Sequence, residues 1–393
     1  MSGTIQLKDA IRLSEPLSLS VMIKPVGSAC PLSCRYCYYE GAPRGVMPHE
    51  VLERIITQTI SSCDGPVAVF NWHGGEPLLA GLDFYREAVR LQKLVAGGKI
   101  IENTIQTSGL PVTEAWARFF SEESFLVGLS IDGPEEVHDK NRRSSSGNGS
   151  FLPAVRAMAL LLGHGVRVNT LTTINHASAG KGHEVYRFLK GIGSHYMQFL
   201  PVADPQRPEN ISADEFGSFM CEVYDDWLAS DIGTYFVNLF DSTLAAWCGL
   251  PRGLCTSSET CGGIISFDVH GNAYICDHFE KEPFLLGNIM TEDIRSMVEK
   301  PQYLKFCLRK RDTLPSECQG CNFLFACWGE CPGHRDKSGK SLLCEGYKHF
   351  FTHTRDTMLQ MSRLIAAGRP ASDILNAPVG RERSMGIMFE LNL

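Results

Sequence analysis

The stretch C-P-L-S-C-R-Y-C at residues 30–37 places three cysteines in one short loop. Three thiolates so close together can face one metal centre, but they leave it one ligand short. A structural zinc ion or an ordinary ferredoxin cluster takes four protein ligands, whereas a [4Fe-4S] cluster held by three cysteines presents one iron that can bind a small molecule. The stretch therefore predicts a cluster with an open iron. The alternative is a zinc knuckle completed by His49 or another residue, since isolated C-x2-C pairs are usually zinc sites.

Composition and charge indicate a globular protein that acts on a small molecule or a peptide. The chain has 393 residues, a length that is enough for two domains. Of these residues 44 % are hydrophobic and 21 % are charged, as in ordinary globular proteins. Its formal net charge of -7 argues against a surface that neutralises phosphates, and so against a nucleic-acid partner. Residues 1–17 offer no apolar signal-peptide region, and no stretch reaches about eighteen uninterrupted apolar residues. We therefore expect a cytoplasmic protein with no membrane partner.

The number and distribution of cysteines favour metal ligation. Fifteen is an odd number, and without a signal peptide a disulfide framework is not expected. Eleven of the fifteen form two clusters, which fall within residues 30–37 and 255–344. The other four are isolated and are expected to be plain thiols: Cys63, Cys221, Cys248 and Cys307.

Strand-like and helix-like segments alternate between residues 19 and 200. The pattern predicts strands at 19–23, 67–72, 101–106, 126–131, 166–173 and 196–200, and helices at 48–60, 83–94, 114–120, 152–162 and 184–189. Strands that are each followed by a helix imply a parallel sheet with right-handed crossovers. We therefore expect an α/β fold, a partial (β/α)6 barrel of the TIM type.

Polar or glycine-rich segments follow the predicted strands. Residues 30–37 follow the first strand, H-G-G-E-P at 73–77 the second, Q-T-S-G at 106–109 the third and S-I-D-G-P at 130–134 the fourth. In such barrels the active site lies at the carboxyl ends of the strands. We expect these segments to meet at the mouth that carries the cluster.

The spacing C-x3-C-x2-C followed by the aromatic Tyr38 resembles the signature of radical S-adenosylmethionine (SAM) enzymes. G-G-E-P at residues 74–77 resembles a second motif of these enzymes, in which paired glycines let backbone carbonyls approach the SAM ammonium and a carboxylate fixes the turn. Alone, the same four residues would indicate only a turn. The resemblance implies Cys30, Cys34 and Cys37 as ligands of the radical cluster, and Gly74, Gly75 and Glu76 as SAM-binding residues.

Ser130 and Arg142 are further candidates for binding SAM. Ser130 would contact the ribose, and Arg142 the carboxylate, because a guanidinium suits bidentate carboxylate binding. The alternative is a capping serine and a solvated arginine.

Beyond residue 240 the alternation of strands and helices stops. The eight clustered cysteines in this part of the chain suffice for two sites of four thiolates each. Residues 267–274 predict a hairpin with Gly271 and Asn272 at its turn. Zinc ribbons are one interpretation, but the spacing resembles the SPASM extension, which holds two auxiliary [4Fe-4S] clusters in peptide-modifying radical SAM enzymes. We expect a barrel at 1–240, a SPASM domain at 241–350 and a C-terminal part at 351–393. A helix is predicted over 347–366, and it ends within the C-terminal part, where a tail follows.

Three further stretches narrow the match. C-D-H-F at 276–279, L-G-N-I at 286–289 and C-E-G-Y at 344–347 resemble the anaerobic sulfatase-maturating enzymes, which oxidise a cysteine or serine of an unfolded sulfatase to Cα-formylglycine. A mild departure is His73, where some members carry glutamine. The resemblance implies one auxiliary cluster on Cys255, Cys261, Cys276 and Cys331, and another on Cys318, Cys321, Cys327 and Cys344. Spacing alone would pair Cys331 with its close neighbours.

The resemblance also implies two catalytic residues. Asp277 matches the family's proposed general base, which would take the thiol or hydroxyl proton as the β-carbon is oxidised; the alternative is a hairpin aspartate with local hydrogen bonds. Tyr39 matches a tyrosine close to the substrate, with core packing as the alternative.

The implied chemistry uses three [4Fe-4S] clusters and SAM. The reduced radical cluster would give an electron to SAM, the resulting 5′-deoxyadenosyl radical would remove a β-hydrogen, and the second electron would leave through the auxiliary clusters. The implied partners are a sulfatase carrying Cys/Ser-x-Pro/Ala-x-Arg and an electron donor such as flavodoxin or ferredoxin. Another SPASM-type peptide maturase, making thioether, carbon-carbon or epimerised products, is the nearer alternative. A non-catalytic zinc or electron-transfer protein is the more distant one.

Overall fold

A computed structural model of the protein describes residues 20–376. Within this range ten strands form one sheet in the order β10-β9-β8-β1-β2-β3-β4-β5-β6-β7. The strands are β1 (Ser20–Ile23), β2 (Val67–Trp72), β3 (Ile100–Thr107), β4 (Leu126–Ser130), β5 (Arg167–Ile174), β6 (Tyr196–Pro201), β7 (Phe236–Val237), β8 (Ile264–Phe267), β9 (Asn272–Tyr274) and β10 (Leu285–Asn288).

The helices alternate with the first six strands and then predominate. They are α1 (His49–Ser62), α2 (Leu82–Val95), α3 (Glu114–Glu122), α4 (Glu135–Asn141), α5 (Phe151–Gly163), α6 (Gly182–Gly191), α7 (Ala213–Ser230), α8 (Asn238–Trp247), α9 (Ile294–Val298), α10 (Pro301–Asp312), α11 (Ser316–Gln319), α12 (Leu324–Cys327) and α13 (Cys344–Ala366). The six predicted strands and five predicted helices are confirmed with ends within two residues; residue 19 lies outside the described part. The sequence-based interpretation did not include α4 or the helices α7–α12.

Strands β1 to β7 are parallel to their neighbours, as expected for a βα-repeat sheet. In β2 alternate side chains are buried, with Ala68, Phe70 and Trp72 facing the core beneath α1 and α2. Since parallel strands all end at one edge, the loops that follow β1 to β6 meet there.

The cysteine-rich third of the chain joins the same sheet. Strand β8 pairs in parallel with β1, from Ser20 with Ile264 to Ile23 with Phe267, and β9 and β10 continue antiparallel. An apolar strand such as β8 covers the edge that β1 would otherwise expose. Gly271 lies in the predicted hairpin turn with φ 79°, while Asn272 already begins β9. The pairing brings the turn of this hairpin next to the loop that follows β1.

The long helix α13 packs against α7. The crossing is close at two glycines: a Cβ on Gly346 would lie 2.1 Å from the Ala213 carbonyl oxygen, and one on Gly217 would lie 2.9 Å from the Gly346 Cα. The helix predicted over residues 347–366 starts earlier, at Cys344, so it runs through residue 350 without a break. Nowhere in residues 20–376 is there a helix both long and apolar enough to cross a membrane.

Candidate active site and cluster-binding cysteines

The main chain of the loop at residues 30–37 is held by the segment that follows α4. The Ser33 N–H donates to the Arg143 carbonyl oxygen over 2.7 Å. The Arg35 N–H donates to the Asn141 carbonyl oxygen over 3.1 Å. The cysteine loop that follows β1 is therefore positioned by a segment that follows β4.

The segment after β6 holds the same loop from another side. The Arg207 guanidinium donates to the carbonyl oxygens of Arg35, over 3.2 Å, and Cys37, over 3.1 Å. The Arg35 side chain in turn pairs with the buried carboxylate of Glu209 at 2.8 Å. Neither Arg207 nor Glu209 was singled out from the sequence, because neither belongs to a motif.

The three thiols of the loop lie close enough to influence one another's ionisation. Desolvation raises the pKa of Cys30 to about 12, and Glu76, Cys34 and Cys37 raise it further when ionised. Neighbouring thiolates that repel one another need a cation, and metal binding supplies one while releasing protons. The arrangement fits a three-cysteine cluster. The zinc alternative would use His49 as its fourth ligand, but the Nε2 atom of the His49 ring lies 2.9 Å from Glu87 on α2 and is engaged there.

The G-G-E-P loop lies in backbone contact with the segment that leads into Cys30. The Gly75 N–H donates to the Gly27 carbonyl oxygen over 2.7 Å, and the Glu76 N–H donates to the Ala29 carbonyl oxygen over 2.8 Å. A Cβ on Gly75 would lie 2.2 Å from the same Ala29 oxygen. The close approach therefore requires glycine at position 75.

The Glu76 carboxylate is fully buried and is engaged by protein donors. It accepts from the Thr107 hydroxyl at 2.8 Å, the Ser108 N–H at 2.9 Å and the Leu78 N–H at 3.3 Å. Burial raises its pKa, and these donors oppose that rise. The carboxylate thus ties the loop after β2 to the end of β3, which accounts for the turn-fixing part of the role expected for Glu76.

Replacing Gly75 with alanine is expected to displace residues 27–29 and with them Cys30. Because the clash is with main-chain atoms, the change should lower both the occupancy of the radical cluster and SAM cleavage, the latter by at least about tenfold (~1.4 kcal/mol). Iron content and 5′-deoxyadenosine yield measure the two. Gly163→Ala in α5 is the matched control, since no atom lies within 4 Å of its Cβ position. Equal behaviour of both variants would contradict the expectation.

Arg142 is buried and paired, so the interpretation of a solvated arginine is wrong. Its Nε lies 3.1 Å from Asp132, and its Nη2 donates to the Thr173 hydroxyl over 3.2 Å. Asp132 also accepts from the Tyr36 hydroxyl. Burial raises the pKa of Cys34, and the nearby Arg142 guanidinium opposes that rise. Arg142 therefore stands directly beside the cysteine loop.

Ser130 is the last residue of β4 and is half-buried. It lies at the edge of the sheet where the parallel strands end, as the cysteine loop does. Asp132, two residues later, was not predicted as a site residue although it lies within S-I-D-G-P. An aspartate at the carboxyl end of a predicted parallel strand was the available signal.

Asp277 follows β9 and contacts the residue next to the cysteine loop, Tyr38. The Tyr38 hydroxyl donates to its Oδ2 over 3.0 Å. Burial raises the pKa of Asp277, but this hydroxyl and nearby basic side chains more than offset the rise, so the pKa lies below its usual value. The basic side chains are His278, Lys24 and His73. The carboxylate is therefore ionised and able to accept a proton.

Adjacent tyrosines point in different directions. Tyr39 is buried beneath the Lys24 ammonium, which lies 3.6 Å from its ring centroid and pairs with Glu280 at 2.8 Å. Tyr38 is half-exposed and makes the contact with Asp277. Tyr39 thus occupies the packed position that was its alternative interpretation, and its catalytic role stays a prediction. Sequence analysis missed both Tyr38 and Lys24 as site residues.

The structure brings Cys331 to the cysteines of the hairpin region. Burial raises the pKa of Cys331 to about 12, and Cys255 and Cys261 contribute to the rise. Burial also raises the pKa of Cys276, with Cys331 and Cys255 among the contributors. We call Cys255, Cys261, Cys276 and Cys331 the first auxiliary set.

Four further cysteines line one pocket, and we call them the second auxiliary set: Cys318, Cys321, Cys327 and Cys344. Across residues 20–376, no three His, Cys, Asp or Glu side chains converge on a point for a single metal ion. The division into these two sets is the one that the family resemblance implied, and it stays a prediction.

Comparison with known proteins agrees with this architecture. Residues 25–189 match the Radical SAM superfamily, and residues 260–322 match SPASM, an iron-sulfur cluster-binding domain. The second match favours auxiliary iron-sulfur clusters over zinc ribbons.

Curated relatives extend over most of the chain. It is 37% identical to the serine-type anaerobic sulfatase-maturating enzyme of Bacteroides thetaiotaomicron, over 91% of this chain and 95% of that protein. It is 30% identical to the cysteine-type enzyme of Clostridium perfringens, over 88% and 99%. The solved structure of native anSMEcpe with bound AdoMet and Kp18Cys peptide superposes with a TM-score of 0.84, at 28% identity over 88% of this chain and 99% of that one. The chain therefore belongs to the anaerobic sulfatase-maturating enzymes of the Radical SAM superfamily.

Proposed function

We propose that this chain oxidises a cysteine or serine of an unfolded sulfatase to Cα-formylglycine in a SAM-dependent reaction. The observation that carries the proposal is the ionised Asp277 carboxylate, which is oriented by Tyr38 from the cysteine loop and is adjacent in sequence to Cys276 of the first auxiliary set. A general base placed between a radical-generating loop and an electron-accepting site is what oxidation of a thiol or alcohol requires.

The cofactors are [4Fe-4S] clusters and SAM. We assign the radical cluster to the three cysteines of residues 30–37 and the auxiliary clusters to the first and second auxiliary sets. When bound, the radical cluster and SAM would supply the one-electron chemistry that removes a hydrogen from the target β-carbon.

The protein's own contribution is positioning and proton transfer. The main chain of Gly74 and Gly75 offers a close-approach surface for SAM, with Ser130 and Arg142 at the same edge. Asp277 takes the proton of the substrate thiol or hydroxyl. Because Cys276 neighbours Asp277, a substrate held by this carboxylate would lie beside the first auxiliary set, whose cluster, when bound, would accept the second electron.

The finer assignments follow from the family. We propose a target motif Cys/Ser-x-Pro/Ala-x-Arg, a flavodoxin or ferredoxin as electron donor, and a cytosolic location, where reduced thiols persist. We also keep the division into a barrel at 1–240, a SPASM domain at 241–350 and a C-terminal part at 351–393.

The direct test is anaerobic incubation of the reconstituted enzyme with SAM, a reductant and paired peptides that carry cysteine or serine in this motif. We expect an aldehyde product, detected by mass spectrometry after hydrazide trapping. A peptide product with a thioether, a carbon-carbon link or an inverted centre, and without aldehyde, would instead establish the alternative class of maturase.

Recognition of the target arginine is expected to depend on charge. The chain carries a formal net charge of -7, and the target motif contains a cation. Replacing the peptide arginine with alanine should weaken binding by about tenfold, equivalent to ~1.4 kcal/mol, and the affinity of the intact peptide should fall with added salt. Fluorescence anisotropy measures both, with an alanine at a variable position of the motif as control. Salt-independent binding of the arginine-free peptide would contradict the expectation.

A further inference from the structure

The bridge between the two auxiliary sets has an unusual backbone. Cys327 of the second set and Cys331 of the first are separated by Trp328, Gly329 and Glu330, with φ values of 48°, 69° and 58°. Three successive left-handed residues, two of them not glycine, are uncommon, and such conformations persist only where the surroundings hold them. This reversal lets two neighbouring cysteines face different sites.

The Arg335 side chain donates hydrogen bonds to the carbonyl oxygens of the bridge. The Arg335 guanidinium donates to Gly329 over 2.8 Å, Trp328 over 2.9 Å and Glu330 over 3.4 Å, and also to the Lys310 carbonyl oxygen on α10 over 2.9 Å. These carbonyls turn inward because the backbone is left-handed, so they lack helix or sheet partners. The planar fork of arginine can satisfy several of them at once.

The bridge is built closely around this guanidinium. A Cβ on Gly329 would lie 2.7 Å from the Arg335 Nη2 and 2.4 Å from the Leu314 Cδ2. Glycine at position 329 is therefore needed both for the left-handed φ and for the room that Arg335 occupies.

Arg335 is also a cation near thiols of both auxiliary sets, as is the buried Lys310 on α10. Burial lowers its pKa, while Cys318 and Cys327 of the second set and Cys261 of the first set raise it. A guanidinium keeps its charge in proteins. A fixed positive charge favours the reduced form of an adjacent cluster, because reduction adds one negative charge.

We propose that Arg335 is the positioning residue of the auxiliary-cluster region: it holds the bridge at residues 328–330 so that Cys327 and Cys331 serve different clusters, and it places one fixed positive charge beside both. The proposal rests on the cysteine assignment given under Proposed function and is independent of which peptide is oxidised.

The test uses the full chain with the three cysteines of residues 30–37 replaced by alanine, so that the auxiliary clusters are observed by themselves. Arg335→Gln removes the charge, and Arg335→Lys keeps the charge but not the fork. Lys337→Gln is the matched control, since it removes an exposed charge two residues away. Iron content, EPR spectra and EPR-monitored redox titrations are recorded for each anaerobically reconstituted variant.

We expect Arg335→Gln to lose iron from both auxiliary sites, and any cluster that remains to have a more negative midpoint potential. Arg335→Lys should show a smaller potential shift but altered EPR signals from both clusters, and Lys337→Gln should match the parent. An arginine that only supports the fold would lower the unfolding temperature without moving the potentials.

Wild-type iron content, EPR signals and potentials in both Arg335 variants would overturn the proposal. If Arg335→Gln does not fold, Arg335→Lys decides by the same criterion. Separate Cys331→Ala and Cys318→Ala variants report on the cysteine assignment itself, because each should lose one auxiliary cluster whatever Arg335 does.

Discussion

Asp277→Asn is expected to stop peptide oxidation while SAM cleavage continues. Asparagine keeps the size of the side chain and can still accept from the Tyr38 hydroxyl, but it cannot take a proton. Formylglycine formation should fall by at least about a hundredfold, the usual cost of losing a general base. A serine peptide should suffer more than a cysteine peptide, because an alcohol is far less acidic than a thiol.

Parallel quantification of 5′-deoxyadenosine and formylglycine under anaerobic conditions separates the two steps. Asp83→Asn is the matched control, since its side chain is 93% exposed on α2 and pairs only locally with Arg86 at 2.8 Å. A near-normal formylglycine yield from Asp277→Asn, with iron content intact, would show that the aspartate is structural and that another group is the base.

Replacing Cys30, Cys34 and Cys37 together with alanine is expected to abolish SAM cleavage altogether. The three thiols lie in one short loop and are assigned to one cluster, so the variant should lose that cluster and retain the auxiliary two. Iron content should fall from about twelve to about eight per chain. Iron analysis and 5′-deoxyadenosine assays on the reconstituted protein measure both effects.

Cys248→Ala is the control for cysteine loss, because Cys248 is the C-cap residue that follows α8 and belongs to none of the three cysteine sets. It should leave iron content and SAM cleavage unchanged. Continued SAM cleavage by the triple variant would disprove the assignment of the radical cluster.

The barrel and its mouth could be predicted because they depend on local pattern and on one rule of topology. Periodicity placed the first six strands, and parallel strands end at one edge of their sheet. The contact between residues 27–29 and the loop at 74–77 follows from this, and the glycines that permit it are visible in the sequence. The distances that bring Gly75 onto Ala29 are consistent with that reasoning.

Other features depend on contacts between residues far apart in the chain. The sequence did not show that β8 pairs with β1, which carries Asp277 to the cysteine loop. Nor could it distinguish Tyr38 from Tyr39, since adjacent side chains of one residue type differ only in what surrounds them. Arg142 was named for its chemistry, yet its burial against Asp132 required the fold.

The sequence by itself determined the cofactor class, the strand order of the barrel and the residue types at the site, because motif spacing and hydrophobic periodicity are local properties. The grouping of the auxiliary cysteines is not determined by such local properties. Spacing alone would pair Cys331 with Cys327, four residues away, and the family resemblance implied otherwise without a reason. What only the tertiary structure decides is the backbone between these two cysteines: residues 328–330 are left-handed and their carbonyl oxygens accept from Arg335, and such a backbone is stable only because distant groups hold it.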